Sequence, residues 1–327
     1  MQKCVIMISA DDIFSIRNDA QFRAAALELF RFQSRRCAPY RNYVELLGIN
    51  PDEVRRVEDI PFLPIELFKT HDIYCGEREP QTVFTSSATT GMVQSRHPMA
   101  DLRIYERDFE ASFRLFYGEP ARWSIYGLLP NYLQRTGSSL IYMTDRLIRE
   151  CGSGGFYLDD YERLLDDMAH DPKPKILLGV SYALLDLAEK YAPHLTDTIV
   201  METGGMKGKR KEMPKAEFHE VLCKAFGVEK IHSEYGMAEL SSQAYSSGDG
   251  LFFAPPWLRI FIRDVNDPFA HYGAGRRGAI DIIDLGNIYS CAFIATQDVG
   301  ICTADGGFRI EGRVADSDTR GCNLLVQ

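Results

Sequence analysis

The chain has 327 residues, 45% apolar and 25% charged, which is the balance of a globular protein long enough for one large core or two fused lobes. Its 46 acidic against 37 basic residues leave a formal charge of -9, which excludes a general nucleic-acid binder but allows a local basic patch. Eight cysteines stand singly without a CxxC pair, no apolar run approaches the roughly 20 residues of a membrane span, and no leader opens the chain. The expectation is a cytoplasmic protein with reduced thiols, no zinc site, no disulfide framework and no membrane span.

In chain order, DAQFRAAALELFRFQSRR (19–36) places apolar residues at helical spacing, with Asp19 suited to its start. IPFLPIELFK reads as an extended, proline-punctuated segment, and Val83 and Phe84 lead into the hydroxyl-rich stretch TSSATTGMVQSRH (85–97). The following ADLRIYERDFEASFRLFYG is a strong amphipathic helix, with Leu102, Tyr105, Phe109, Phe113 and Phe116 on one stripe. Short β-rich runs at 123–129, 175–180, 197–202 and 229–236 then alternate with helices near 138–150, 159–169, 181–191 and 212–226. Such alternation predicts an α/β fold with a largely parallel sheet. From about residue 250 only strands are read, so the expected division is an α/β body over 1–249 and a β-rich subdomain over 250–327.

Four constellations could carry chemistry. Thr85 to Thr90 contain five hydroxyl residues in six positions, followed by Gly91. They read as a solvated turn or, between a strand and a helix, as backbone and hydroxyl donors for phosphate oxygens. METGGMKGKRK (201–211) ends a strand in Thr203, Gly204 and Gly205 and continues into Lys207, Lys209, Arg210 and Lys211. It is either a glycine turn with a solvated rim or an anion site. IHSEYGMAEL (231–240) puts Tyr235 at a strand end, where ligands of open parallel sheets sit, and Glu239 beyond the turn at Gly236. The alternatives are a core tyrosine with an exposed glutamate, or an aromatic face with a Mg²⁺-binding carboxylate. Asp298 and Arg313 are a surface pair or a holder for a ribose diol.

The order of these motifs resembles that of the adenylate-forming enzymes, which include acyl-CoA synthetases, luciferases and peptide-synthetase adenylation domains. Within that superfamily LELFRFQ, FKTHDIY, TSSATTGMVQSR and GRVADSDTRGCNLLV look like the acyl-protein synthetase (LuxE-type) branch of bacterial fatty acid reductase systems, with phenylacetate-CoA ligases as near neighbours. The resemblance covers nearly the whole chain. It implies the superfamily's large N-terminal domain, with mostly parallel sheets flanked by helices and a β-rich C-terminal subdomain. It also implies that Ser86, Ser87, Thr89, Thr90 and Gly91 hold the β- and γ-phosphates of ATP and that Gly204 and Gly205 line the adenine. Tyr235, followed by Gly236, would stack on adenine; Glu239 would hold Mg²⁺; Asp298, partnered by Arg313, would bind ribose. Cys322, near Arg320, reads as a buried structural cysteine of a final strand or, as the resemblance implies, as the acyl-accepting cysteine of the branch.

Departures from the pattern are Ala88 for a glycine, Gln94 near the place of a lysine, and Ala238 for a threonine. Arg96 and His97 are the candidates for the missing charge, in a shifted register. The usual C-terminal lid of the superfamily is not expected. The implied activity is activation of a fatty or aryl carboxylic acid with MgATP to an acyl-adenylate, followed by transfer to a thiol. That thiol would belong to Cys322, to coenzyme A, or to the phosphopantetheine of an acyl carrier protein, and a reductase subunit is the expected partner. An ATP-independent acyltransferase and a non-catalytic partner subunit are the alternatives. LLGVSYALLDLA (177–188) reads as an acyl-pocket wall or a core helix.

Overall fold

The computed structural model describes residues 8–87, 93–129, 137–206, 209–211 and 213–314. These form two compact units: 8–111, 236–243 and 254–314 in the first, and 112–235 and 244–253 in the second. A division by composition falls at residue 249, whereas the units follow the returns of the chain, which re-enters the first unit at 236 and again at 254.

The first stretch of unit 1 is helical because its caps and apolar spacing agree. Helix α1 (Ala10–Phe14) opens on a capping box between Ser9 and Asp12. In α2 (Asp19–Arg36) the cap is Asn18, whose side chain accepts from the Gln21 N–H, and Phe22, Ala26, Leu29 and Phe30 are buried at helical spacing. Then come α3 (Ala38–Leu46), β1 (Leu63–Pro64), α4 (Leu67–Thr70), β2 (Thr82–Thr85) and β3 (Arg96–Met99). Helix α5 (Leu102–Tyr117) follows and passes into unit 2 at Ser112, with Tyr105, Phe109 and Phe113 of its predicted stripe buried.

Unit 2 contains the alternating pattern: β4 (Ser124–Leu128), α6 (Ser139–Cys151), β5 (Gly154–Tyr157), α7 (Tyr161–His170), β6 (Lys175–Val180), α8 (Ser181–Tyr191), β7 (Thr198–Thr203), α9 (Lys215–Phe226) and β8 (Ile231–Tyr235). The strands run parallel in the order β5-β4-β6-β7-β8. Strands β9 (Ala244–Ser246) and β10 (Phe252–Phe253) continue it antiparallel. All six residues of β6 are buried, as a central parallel strand requires. Its Leu177 packs with Leu184, Leu187, Leu222 and Phe226 of α8 and α9.

The last stretch of unit 1 is β11 (Leu258–Arg263), β12 (His271–Tyr272), β13 (Arg277–Asp284), β14 (Phe293–Cys302) and β15 (Phe308–Arg313). They pair antiparallel in the order β12-β11-β13-β14-β15, with β1 parallel on β14. The structure is therefore mixed α/β with a β-rich C-terminal region, as expected, and its parallel ladders beyond β1 are confined to unit 2.

Candidate active site

In unit 1 the hydroxyl stretch does not join a strand to a helix. It closes the β2–β3 hairpin, in which Thr85 faces Arg96. Pairing continues one step past the strands: Ser86 N–H donates to Ser95 O at 3.1 Å and Ser95 N–H donates to Ser86 Oγ at 2.9 Å. Gln94 donates from Nε2 to Ser86 O at 2.9 Å, so this position supplies an amide where a cation is usual. Ser87 follows at the end of the described part of the loop; Thr89, Thr90 and Gly91 lie outside the described residues.

Of the two candidates for the missing charge, Arg96 stays at the surface and His97 does not. Arg96 is exposed and paired with Asp72 at 3.3 Å. His97 is buried, which lowers its imidazole to about 4, against the opposing pull of its bond to Ala238 O. The neutral ring donates from Nδ1 to that carbonyl at 2.8 Å. His97 thus ties the hairpin to the turn that carries Gly236 and Glu239.

That turn is held from below by a network that the sequence did not reveal. Asn287 donates from Nδ2 to Glu239 O at 2.9 Å and to Cys291 O at 3.1 Å. The Ser241 and Ser242 N–H groups donate to Asp284 Oδ2 at 2.8 and 2.9 Å. Ser242 Oγ lies 2.6 Å from Asp284 Oδ1 and 2.9 Å from Asp108 Oδ2, and Trp257 Nε1 donates to Asp108 Oδ1 at 2.8 Å. Burial pushes the Asp284 carboxyl up. The Ser241, Ser242 and Gly286 N–H groups and the Ser242 hydroxyl pull it the other way. Glu239 itself is buried rather than exposed. Asp298 and Arg313 sit opposite each other across β14 and β15, with Arg313 Nε donating to Asp298 Oδ1 at 3.1 Å. Asp298 is buried, so the pair is more than a surface contact.

In unit 2, β7 and β8 end side by side, Thr203 opposite Glu234. Gly204 and Tyr235 are the next residues; Gly204 has φ +66°, the left-handed region that glycine enters without strain, and Gly205 follows. Tyr235 is buried with its ring 6.0 Å from that of Phe252. Of the basic cluster, Arg210 is occupied by Asp186 and Glu189 of α8, and Lys207 lies outside the described residues.

The alternation of β7 and β8 sends two buried acids to opposite faces of the sheet. Glu202 meets Lys215 Nζ at 2.7 Å and accepts from Ser181 Oγ at 3.2 Å. Burial opposes its charge, but the ammonium and the hydrogen bonds outweigh it and hold the carboxyl at about 2. Glu234 points the other way and accepts from Thr203 Oγ1. Burial pushes it up to about 7; Thr203 and Lys215 oppose the shift and the Glu202 charge adds to it.

Glu234 lies on the wall of a cavity within unit 2, between α6 and the sheet, whose free space of about 20 Å³ is room for about one water molecule. The rest of the wall is mainly hydrocarbon, including Ile125, Leu147, Ile176, Leu178 and Met201, and Thr144 turns its hydroxyl to Leu140 O at 2.8 Å. From 177–188 only Leu178 reaches this cavity; Leu184, Leu185 and Leu187 of α8 pack into the core on the other face. The signal in sequence was an acid inside a strand, at the position before Tyr235.

Six cysteines are described, all free: Cys37, Cys75, Cys151 and Cys291 are buried, Cys223 and Cys302 half-buried. Burial raises each thiol, those of Cys37 and Cys151 to about 11. Cys322 lies outside the described residues. No described helix is long and apolar enough to cross a membrane.

No protein-family profile matches the chain. A stretch of 67 residues, 20% of this chain, is 34% identical to a long-chain-fatty-acid–luciferin-component ligase of Photorhabdus luminescens and spans 57% of that protein. A 2-hydroxyisobutyryl-CoA ligase, solved in an open conformation with 2-HIB-AMP and CoA, superposes over 99% of this chain and 80% of its own with TM-score 0.72 and 15% identity. ATP-bound MatB from Rhodopseudomonas palustris matches 71% of this chain, which spans 47% of that one, with TM-score 0.55 and 16% identity. The fold is that of the adenylate-forming enzymes. The sequence likeness to the luciferin-component ligase is confined to that 67-residue stretch.

Proposed function

We propose that this chain activates a carboxylic acid, fatty or aryl, with MgATP to an acyl-adenylate and passes the acyl group to a thiol. The observation that carries the reading is the pair of buried Asp298 with half-buried Arg313, at the expected motif position in a chain whose fold matches a coenzyme-A ligase over almost its whole length. Asp298 accepts from the ribose hydroxyls and Arg313 orients it. Tyr235 stacks on adenine beside Gly204 and Gly205, and Ser86 and Ser87, with Thr89, Thr90 and Gly91, donate to the outer phosphates. No three His, Cys, Asp or Glu gather as a metal cluster among the described residues. A Mg²⁺ bound by the Glu239 carboxylate, phosphate oxygens and water suits that donor set. When bound it neutralises charge on the leaving phosphates.

The acid's carboxylate oxygen bonds to the α-phosphorus as the bond to the β-phosphate oxygen breaks, releasing pyrophosphate. A thiolate sulfur then bonds to the acyl carbon, the acyl C–O bond breaks, and AMP leaves with the electron pair. The raised thiols of the six described cysteines point the acyl group elsewhere, to Cys322, coenzyme A or a carrier phosphopantetheine. Six free cysteines also suit a reducing, cytoplasmic setting.

One observation favours a second reading, an acyltransferase that takes ready-made thioesters: the uncharged Gln94 where a lysine is usual. Hydroxylamine trapping separates the two. Acyl hydroxamate should form only with acid, ATP and Mg²⁺ together, and Glu239→Gln should cut its rate at least tenfold. Hydroxamate formed from acyl thioester without ATP would sink the adenylation reading.

A further inference from the structure

Glu202 is buried and charged, and its partners in unit 2 reach the two strand ends proposed to hold adenine. Burial opposes the charge, but Lys215, His219 and Ser233 outweigh it and hold the carboxyl at about 2, so it is ionised at neutral pH. On one side Ser181 Oγ, at the first residue of α8, donates to Glu202 Oε2 and to Gly204 O, each at 3.2 Å. On the other, Lys215 Nζ meets Glu202 Oε1 at 2.7 Å and lies 5.2 Å from the centre of the Phe252 ring. That ring packs edge-to-face with Tyr235, their centres 6.0 Å apart. His219, one turn further along α9, has Nε2 at 3.6 Å from the same Glu202 oxygen as Lys215.

Stability alone does not select this arrangement. A buried ion pair adds little over well-packed apolar side chains, and Lys215 opens α9, where a cation faces the positive end of the helix dipole. What the pair supplies is position. We infer that Glu202 is a positioning residue for the adenine base: through Ser181 it fixes the Gly204 carbonyl, and through Lys215 and Phe252 it fixes the Tyr235 ring. One carboxylate thus sets both walls of the slot. The inference rests on the reading that Gly204 and Tyr235 hold adenine. The base is common to ATP and AMP, so displaced walls weaken both nucleotides alike, whereas a disturbance at the outer phosphates spares AMP.

Titration calorimetry with ATP and with AMP tests this on the wild-type chain, Glu202→Gln, Ser181→Ala, Lys215→Met and Lys215→Arg. An aromatic ring that no longer stacks squarely on a base costs roughly fivefold or more in affinity. Glu202→Gln and Lys215→Met should raise both dissociation constants by that factor. Ser181→Ala, which leaves the ion pair intact, should raise both by roughly twofold or more. Lys215→Arg keeps a cation for the carboxylate and for the Phe252 face, and should bind within about twofold of wild type.

Wild-type affinities in Glu202→Gln and Ser181→Ala, a loss for ATP that spares AMP, or equal losses in Lys215→Arg and Lys215→Met overturn the inference. If Glu202→Gln does not fold, Ser181→Ala decides alone. A wild-type chain that binds neither nucleotide removes the adenine slot and the inference with it. One that binds both but exchanges pyrophosphate with no acid loses adenylation only, and the same comparison of variants still decides the role of Glu202.

Discussion

Asp298 shows how a residue that looks ordinary in sequence acquires a fixed partner from its surroundings. Its partner Arg313 is 15 positions away and directly opposite on the neighbouring strand, so the guanidinium fixes one carboxylate oxygen. If that carboxylate binds the ribose, Asp298→Asn keeps the shape and removes the charge. Hydrogen bonds to charged groups are worth about 1.5–3 kcal/mol, so ATP affinity should fall by roughly tenfold or more. Titration calorimetry with ATP measures this, and an unaltered dissociation constant would refute the ribose assignment. His97 teaches the opposite lesson: its spacing after the hydroxyl loop suggests a phosphate contact, but burial makes it a neutral donor to the Ala238 carbonyl.

At the scale of elements, the paired strands β7 and β8 place one ionised and one near-neutral acid on opposite faces. For Glu234 the folded carboxyl titrates at about 7 against 4.5 for the unperturbed group. The folded state therefore binds more protons between these values, and stability falls as pH rises through that window. The difference of 2.5 pH units corresponds to about 3 kcal/mol. The groups around it are Thr203, Tyr117, His232 and, directly opposite on β9, Tyr245, with Glu202 and Lys215 acting through the sheet. His232, lowered to about 4 by burial, works in the opposite sense between 4 and 6.5, so wild-type stability alone would hide the effect. Subtracting the denaturation free energy of Glu234→Gln from that of wild type isolates it. The difference should move in favour of the variant from pH 4.5 to pH 7 and level off above. Parallel curves would contradict the burial of an acid at this position.

The elements themselves were legible. Runs such as KILLGV and the stripe of α5 carry their own periodicity, and the helices of unit 2 fall close to their expected bounds. What could not be read is set by partners distant in the chain. Gln33 looks like a polar interruption of α2, yet it is buried and donates to Asn287 O at 2.6 Å, 254 residues away. The same holds for Asp108, Asp284 and Asn287 beneath the Glu239 turn: no local pattern announces a network assembled from three segments. The β3 strand was missed because RHPM has no apolar alternation, and its partner strand decides its conformation.

For the whole molecule, the two units carry different parts of the proposed machinery. Unit 1 holds Ser86, Ser87, Gly236, Glu239, Asp298 and Arg313, while unit 2 holds Gly204, Gly205 and Tyr235. Adenylation needs all of them, so its reversal is the most direct reading of the account. The measurement is carboxylate-dependent exchange of labelled pyrophosphate into ATP with Mg²⁺, over short, long and aromatic acids. The account predicts exchange with at least one acid, none without acid, and loss in Glu239→Gln. Exchange that is absent across the panel, while the same preparation transfers acyl groups from a thioester without ATP, would contradict it.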